Sequence, residues 1–221
     1  MIITIDGPSA SGKSTIASLL ARQTKSFYIN SGLLFRALAF SILEEKRDAS
    51  TLLHDQSALD EYIKKSLDYT FTPETGVTLY HRGRVITPFL KSPEVTSYSS
   101  VIATEPVVRQ ALLTYQRALA KNRNVIADGR DCGTVVFPEA TFKFFITADE
   151  TIRAQRLQKD LASHNKFLSL EEATFLIHER DSRDAARLHA PLKQSPDAYC
   201  IDTSTLSIEE TLDCVVTHLH S

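Results

Sequence analysis

Short apolar runs alternate along the chain with stretches in which apolar residues return every three or four positions. The runs are Ile2–Ile5, Phe27–Ile29, Val125–Ala127, Lys143–Ile146 and Ala198–Ile201. Runs this short and this continuously apolar predict parallel strands covered on both faces. Between them, Lys13–Thr24 carries Ile16, Leu19 and Leu20 at helical spacing, and Leu33–Glu45 repeats the pattern. Glu105–Lys121 carries Val108, Leu112 and Leu119, with Pro106 in its first turn. Leu170–Leu188 predicts a long charged helix with Ala173, Leu176 and Ile177 on one side. Ser207-Ile-Glu-Glu210 has the form of a capping box and opens a last helix. The alternation predicts an α/β fold of three layers, a central five-stranded parallel sheet with helices on both faces.

One stretch departs from this rhythm. Leu67–Phe89, LDYTFTPETGVTLYHRGRVITPF, alternates with period two and has turn signals at Pro73–Gly76 and His81–Gly83. It predicts a small antiparallel meander, a lobe inserted at about residues 60–92 of a single domain spanning 1–221. No internal repeat or low-complexity segment is evident in the sequence.

Composition narrows the classes. Apolar residues make up 43% and charged residues 24% of the 221, and the formal net charge is -2. That balance argues against a general nucleic-acid or membrane-surface binder, because both need a basic face. No apolar run approaches the ~18 residues of a membrane span. Met1-Ile-Ile-Thr-Ile runs straight into the first strand, so no signal peptide is expected. Cys132, Cys200 and Cys214 lack metal-like spacing. They are expected to be reduced, buried thiols of a cytoplasmic protein. The absence of a long exposed apolar stripe favours a monomer.

The first strand leads into ITIDGPSASGKST, in which Gly7-Pro8-Ser9-Ala10-Ser11-Gly12-Lys13-Ser14 fits G-x-x-x-x-G-K-[ST] in full. A phosphate chain is wrapped by backbone N–H groups, and side chains would obstruct them. Gly7 and Gly12 permit the close approach. The loop ends at a helix N-terminus, which favours an anion. Lys13 can reach the outer phosphates, and the Ser14 hydroxyl can ligate Mg²⁺. A phosphate loop alone suits a GTPase, a motor or a small-molecule kinase. The chain lacks Asn-Lys-x-Asp; Asn165-Lys166-Phe167-Leu168 has no aspartate.

A second set of charges decides between them. NSGLLFRAL places Ser31 and Arg36 at the start of the second helix. VIADGRDCGTVVF ends a buried strand at Asp128 and continues through Gly129, Arg130 and Asp131. Ligands of doubly wound sheets sit at the carboxyl ends of the strands. HERDSRDAARLHAPL supplies Arg180, Asp184 and Arg187 on one helical face, with Arg183 one turn from Arg187. Several arginines beside a phosphate loop point to two phosphate groups brought together. Arg153 and Arg156, in TIRAQRL, lie on a further helix suited to a lid edge.

Together these strings resemble the bacterial-type cytidylate kinases, a branch of the nucleoside monophosphate kinases. The resemblance covers essentially the whole chain and rests on ITIDGPSASGKST, SGLLFRAL, VIADGRDCGTVVFP, ERDSRD and APL followed by Ser195 and Asp197-Ala198. It implies a P-loop kinase fold, with the meander as the nucleotide-monophosphate lobe and a lid at about 151–168. It implies transfer of the ATP γ-phosphoryl group to CMP or dCMP, with Mg²⁺. Gly7 to Thr15, with Arg153 and Arg156, would hold ATP. Ser31, Arg36, Arg130 and Arg187 would hold the acceptor phosphate, Arg180 and Asp184 the sugar, and Ser100, Arg109 and Asp131 the cytosine. Asp128 would sit by the metal and the transferring group. Lys13, Asp128, Arg130, Arg180 and Arg187 would carry catalysis. Many relatives have tyrosine where this chain has Phe35, whose ring can still stack on the acceptor but offers it no hydroxyl. The rival readings are a P-loop kinase with another acceptor and a non-enzymatic ATP-binding protein.

Overall fold

A computed structural model describes residues 1–46, 49–163 and 165–220. The lid segment expected at about 151–168 includes His164, which lies outside the described residues. In chain order the elements are β1 (Ile2–Asp6), α1 (Lys13–Thr24), β2 (Phe27–Asn30), α2 (Ser31–Glu45), α3 (Ala49–His54), α4 (Gln56–Ser66), β3 (Leu67–Thr72), β4 (Gly76–His81) and β5 (Arg84–Val85). Then follow α5 (Pro93–Ile102), α6 (Pro106–Ala120), β6 (Val125–Gly129), β7 (Phe142–Thr147), α7 (Glu150–Ala162), α8 (Leu170–Ala185), β8 (Tyr199–Asp202) and α9 (Ile208–Leu219). Two sheets form, one of five strands in the order β2-β6-β1-β7-β8 and one of three in the order β3-β4-β5. The chain divides into two compact units, Met1–Gln23 with Ile126–Ser221, and Thr24–Val125.

In the first unit, β1 pairs in parallel with β7 and β7 with β8. Ile3, Thr4, Ile5 and Asp6 are all buried, as are all five residues of β6. Neither strand has a polar, solvated face, which is what helices on both faces of a parallel sheet require. β8 departs from the expectation. It is an edge strand, and of its four residues only Ile201 is buried. Cys200, its neighbour in the alternation, is therefore exposed, and Cys214 is exposed on α9, whose buried residues are Thr211 and Val215. Only Cys132 of the three expected buried thiols lies in the core.

α9 opens with the expected capping box: Ser207 and Glu210 each bond the other's backbone N–H. Ser169 and Glu172 do the same for α8. α8 stops at Ala185, short of Leu188, and the N–H of Leu192 returns to the Asp184 carbonyl at 2.8 Å. Ala173 and Ile177 are buried on α8, whereas Leu176 is exposed, so the apolar stripe is narrower than its pattern suggests. α7 and α8 pack together, and Ala154, Ala173 and Ile177 form a small core with Ala10 and Leu157 against it.

In the second unit, β3 and β4 pair antiparallel from Leu67 opposite His81 to Thr72 opposite Gly76, and β5 completes the meander. α2 begins at Ser31, two residues before the expected start, because Asn30 caps it by accepting from the Leu33 N–H at 2.8 Å. The Tyr69 hydroxyl of β3 accepts from the Asn30 N–H at 2.9 Å and donates to the Tyr28 carbonyl at 3.0 Å, tying the meander to β2. α2 packs on α5, and α4 on α6.

Candidate active site

β1 delivers the chain into the loop at Asp6, and Gly7 follows with φ +153°. A Cβ on Gly7 would lie 2.0 Å from the Ile146 carbonyl oxygen of β7, so the loop runs where no side chain fits. Ala10 and Gly12 adopt positive φ, 57° and 91°, and the N–H groups of Thr15 and Ile16 bond the Gly12 carbonyl as α1 starts. Lys13 is buried and donates to the Pro8 carbonyl at 3.0 Å. Burial, and then repulsion from Arg130, pushes its ammonium down to about 7. An incoming polyphosphate favours its charged form.

The Ser14 hydroxyl donates to Asp128 Oδ2 at 2.5 Å. Asp128 is buried near the carboxyl end of β6. A hydroxyl and a carboxylate oxygen in contact suit Mg²⁺, a hard cation that usually takes one or two protein oxygens and completes its shell with phosphate and water. Among the described residues no group of three His, Cys, Asp or Glu side chains makes an all-protein cage, which such an ion does not need.

Two residues beyond Asp128, Arg130 donates from Nε to Asp184 Oδ2 at 2.8 Å and from Nη2 to the Ser9 hydroxyl at 3.0 Å. The second oxygen of Asp184 is ion-paired with Arg187. Burial opposes ionisation of Asp184, which is 3% exposed, yet Arg130, Arg187 and Arg180 together hold its carboxyl below the usual carboxylate range. The structure thus gathers Arg130, Arg187 and Asp184 into one cluster joined to the phosphate loop through Ser9, with Arg180 close enough to act electrostatically. Arg183 is exposed and pairs with Glu179 on its own helix.

Asp131 is buried and precedes a single π-helical turn, Cys132–Val136, whose last N–H groups return to its carbonyl. Arg153 and Arg156 grip the loop itself. Arg153 donates to the carbonyls of Ser9 at 3.1 Å and Ala148 at 3.0 Å, and Arg156 to the carbonyl of Ser11 at 3.2 Å and to Thr203.

The remaining sequence-predicted residues belong to the second unit. Ser31 donates to Gln116 Oε1 at 2.5 Å. The Arg109 guanidinium lies 5.4 Å from the centre of the Phe35 ring and donates to the Ala103 carbonyl. Ser100 donates one turn back to the Thr96 carbonyl, and Arg36 is half-buried on α2.

Three residues of the first unit escaped the sequence reading. Asp6 accepts from the N–H groups of Cys132 at 2.9 Å and Gly133 at 2.7 Å, fixing the turn after Arg130-Asp131. Burial pushes its carboxyl up to about 6 despite those bonds. A carboxylate in an otherwise apolar strand was its signal. Asp181 accepts from the Ser9 N–H at 2.9 Å and pairs with Arg153. Its signal was drowned among the charges of ERDSRD. Thr203 had none.

A glycine loop at a strand's carboxyl end, a buried lysine and a hydroxyl–carboxylate pair behind them define a P-loop nucleotide site. The cytidylate kinase family model matches residues 3–221. The chain is 39% identical to the cytidylate kinase of Geobacillus sp. (strain WCH70), over 97% of this chain and 94% of that one. It is 41% identical to that of Bordetella bronchiseptica over 97% and 93%, and 39% identical to that of Stutzerimonas stutzeri over 99% and 94%. An uncharacterized protein from Eubacterium ventriosum shares the fold, with a TM-score of 0.57 at 13% identity over 100% of this chain and 99% of that one. The chain belongs to the cytidylate kinase family, phosphotransferases that use ATP.

Proposed function

We propose that this protein transfers the γ-phosphoryl group of ATP to CMP or dCMP, releasing ADP and CDP or dCDP. The observation that carries the reading is the arginine pair bridged by Asp184 and joined to the phosphate loop through the Ser9 hydroxyl. A protein that only binds ATP has no use for a second cationic cluster beside its donor loop.

In this reading the loop from Gly7 to Thr15 receives the ATP phosphates, and Lys13 meets the outer ones. Ser14 and Asp128 would hold Mg²⁺, which would supply charge neutralisation to the phosphates when bound. Arg130 and Arg187, with Ser31 and Arg36 of the second unit, bind the acceptor phosphate. Arg180 and Asp184 address the sugar. Asp131, Ser100 and Arg109 read cytosine, with Phe35 as the stacking surface. Two anionic phosphates must approach one another, so catalysis is chiefly positioning and electrostatic stabilisation by these cations. Arg153 and Arg156 serve ATP indirectly, by holding loop carbonyls. The meander, within about 60–92, acts on the monophosphate, and a lid at about 151–168 excludes water, the competing acceptor. The protein acts as a cytoplasmic monomer; its three free thiols suit a reducing compartment.

The test is ADP release from ATP with CMP, dCMP, UMP, AMP or no acceptor. Turnover is expected with CMP and dCMP far above the others. Equal ADP release with and without CMP overturns the reading, and so does a preference for a different acceptor.

A further inference from the structure

The backbone of Ser9 is held from both ends by side chains of the α7–α8 pair. Its N–H donates to Asp181 Oδ1 at 2.9 Å, and its carbonyl accepts from Arg153 Nη1 at 3.1 Å. The same Nη1 pairs with Asp181 Oδ2, which closes a ring of three groups. Arg153 is 8% exposed and spends its Nε on the Ala148 carbonyl, so its guanidinium has little freedom. Directly after the clamped residue, Ala10 turns through φ 57°, a left-handed conformation uncommon for a residue with a Cβ. Its side chain lies against the small core of Ala154, Ala173 and Ile177, which belong to the same two helices. The phosphate loop therefore owes its reversal at Ser9-Ala10 to contacts outside itself.

We infer that Asp181 is a positioning residue for ATP: with Arg153 it clamps the Ser9 peptide and holds the phosphate loop in its cradle form. This rests on the phosphoryl-transfer reading for its purpose, but its first readout is direct ATP binding, which needs no acceptor. Asp181 acts through Ser9, from whose N–H it accepts. The clamp also joins the loop to α7, which lies within the proposed lid, and to α8, which follows it, so the order of the loop and the placement of α7 and α8 are one equilibrium.

The experiment compares wild type, Asp181→Asn, Arg153→Met and the double variant, with a cooperative thermal melt showing that each is folded. Asp181→Asn keeps the shape but turns a donor toward the guanidinium. Calorimetric titration is expected to give an ATP Kd about tenfold weaker in Asp181→Asn. The KM for CMP at saturating ATP is expected to stay within about threefold of wild type. Because the two side chains act through one ring, the double variant should be no worse than the poorer single variant. An ATP Kd within twofold of wild type in folded Asp181→Asn overturns the inference, and so do single effects that multiply. A rise in the KM for CMP equal to the loss of ATP affinity overturns it as well. If Asp181→Asn does not fold, Arg153→Lys, which keeps the charge but cannot bridge both partners, replaces it under the same criteria. Wild type that binds ATP but fails to phosphorylate CMP defeats the functional reading and leaves the clamp standing.

Discussion

The phosphate-loop end of the first unit and the second-unit residues proposed to read the base are built on different principles. Around the loop, charged groups are bound to buried backbone and to one another: Asp6 to two N–H groups, Asp184 to two arginines, Asp181 to Ser9 and Arg153. In the second unit, Ser100 and Arg109 bond carbonyls of their own neighbourhood, four and six residues away. Phosphate carries the same charge on every nucleotide, so the cradle can be assembled in advance. A base edge is distinguished by where single donors and acceptors lie, which side chains on helices can supply with less framework.

The comparison breaks most sharply at Lys13. Lys13→Met is expected to lower the transfer rate by about 10³-fold, the scale of losing a donor to transition-state charge. Coupled ADP release checks the rate, and circular dichroism checks that the fold persists.

Next comes Asp6, whose folded carboxyl, at about 6, lies above the ordinary value of 3.8. A raised value means that the folded state binds the proton more tightly. Its stabilising contribution is complete below about pH 4 and is lost as pH rises through 6. Wild type should lose about 3 kcal/mol relative to Asp6→Asn between pH 4 and pH 7. Urea unfolding of both proteins across that range measures the difference. A constant gap between the two curves would mean that Asp6 titrates normally.

Arg130→Ala should lower kcat/KM for CMP by about 10²-fold with a smaller change in ATP affinity, since a charge needed where two phosphates meet is removed. Steady-state kinetics in each substrate read this. Loss of ATP binding alone, with CMP kinetics intact, would move Arg130 to the donor side.

Asp131→Asn, a change in the first unit, tests the proposed reading of the base and has the smallest effect. A carboxylate accepts from the cytosine amino group and repels uracil O4, whereas an amide can donate to O4. The ratio of kcat/KM for CMP over UMP should fall by about tenfold, chiefly through CMP. An unchanged ratio would leave Asp131 a structural role at the head of its π-helical turn.

Much of this was legible because local chemistry and global fold agree. α1 runs from Lys13 to Thr24 as its apolar spacing requires, and the meander turns where its Gly and Pro residues stand. All five strands of the larger sheet end beyond their apolar runs, because a polar residue such as Asp6, Asn30 or Asp128 still pairs in the sheet. Three helices, α3, α4 and α5, went unread, the last two although their signals were present. Asp55 caps α4 ahead of Leu59, Tyr62 and Ile63, and Ser92 caps α5 with Pro93 in its first turn. The Asp184 bridge was half legible, since helical spacing gives Arg180 and Asp184 a common face. That Arg130 joins them is a tertiary fact no spacing contains. Asp181 and Asp184 sit three residues apart in one charged string, and only packing tells which arginine each one takes.

Gly7 has a consequence for the sequences this fold can accept. The obstacle to a side chain there is a backbone oxygen, that of Ile146 at 2.0 Å from the would-be Cβ. A neighbouring side chain can be trimmed by a second substitution, but a strand's carbonyl cannot. In a library randomised at position 7 and grown under selection for nucleotide phosphorylation, the survivors should encode glycine alone. Allowing Ile146 to vary as well should enlarge that set by nothing, since every amino acid brings the same oxygen.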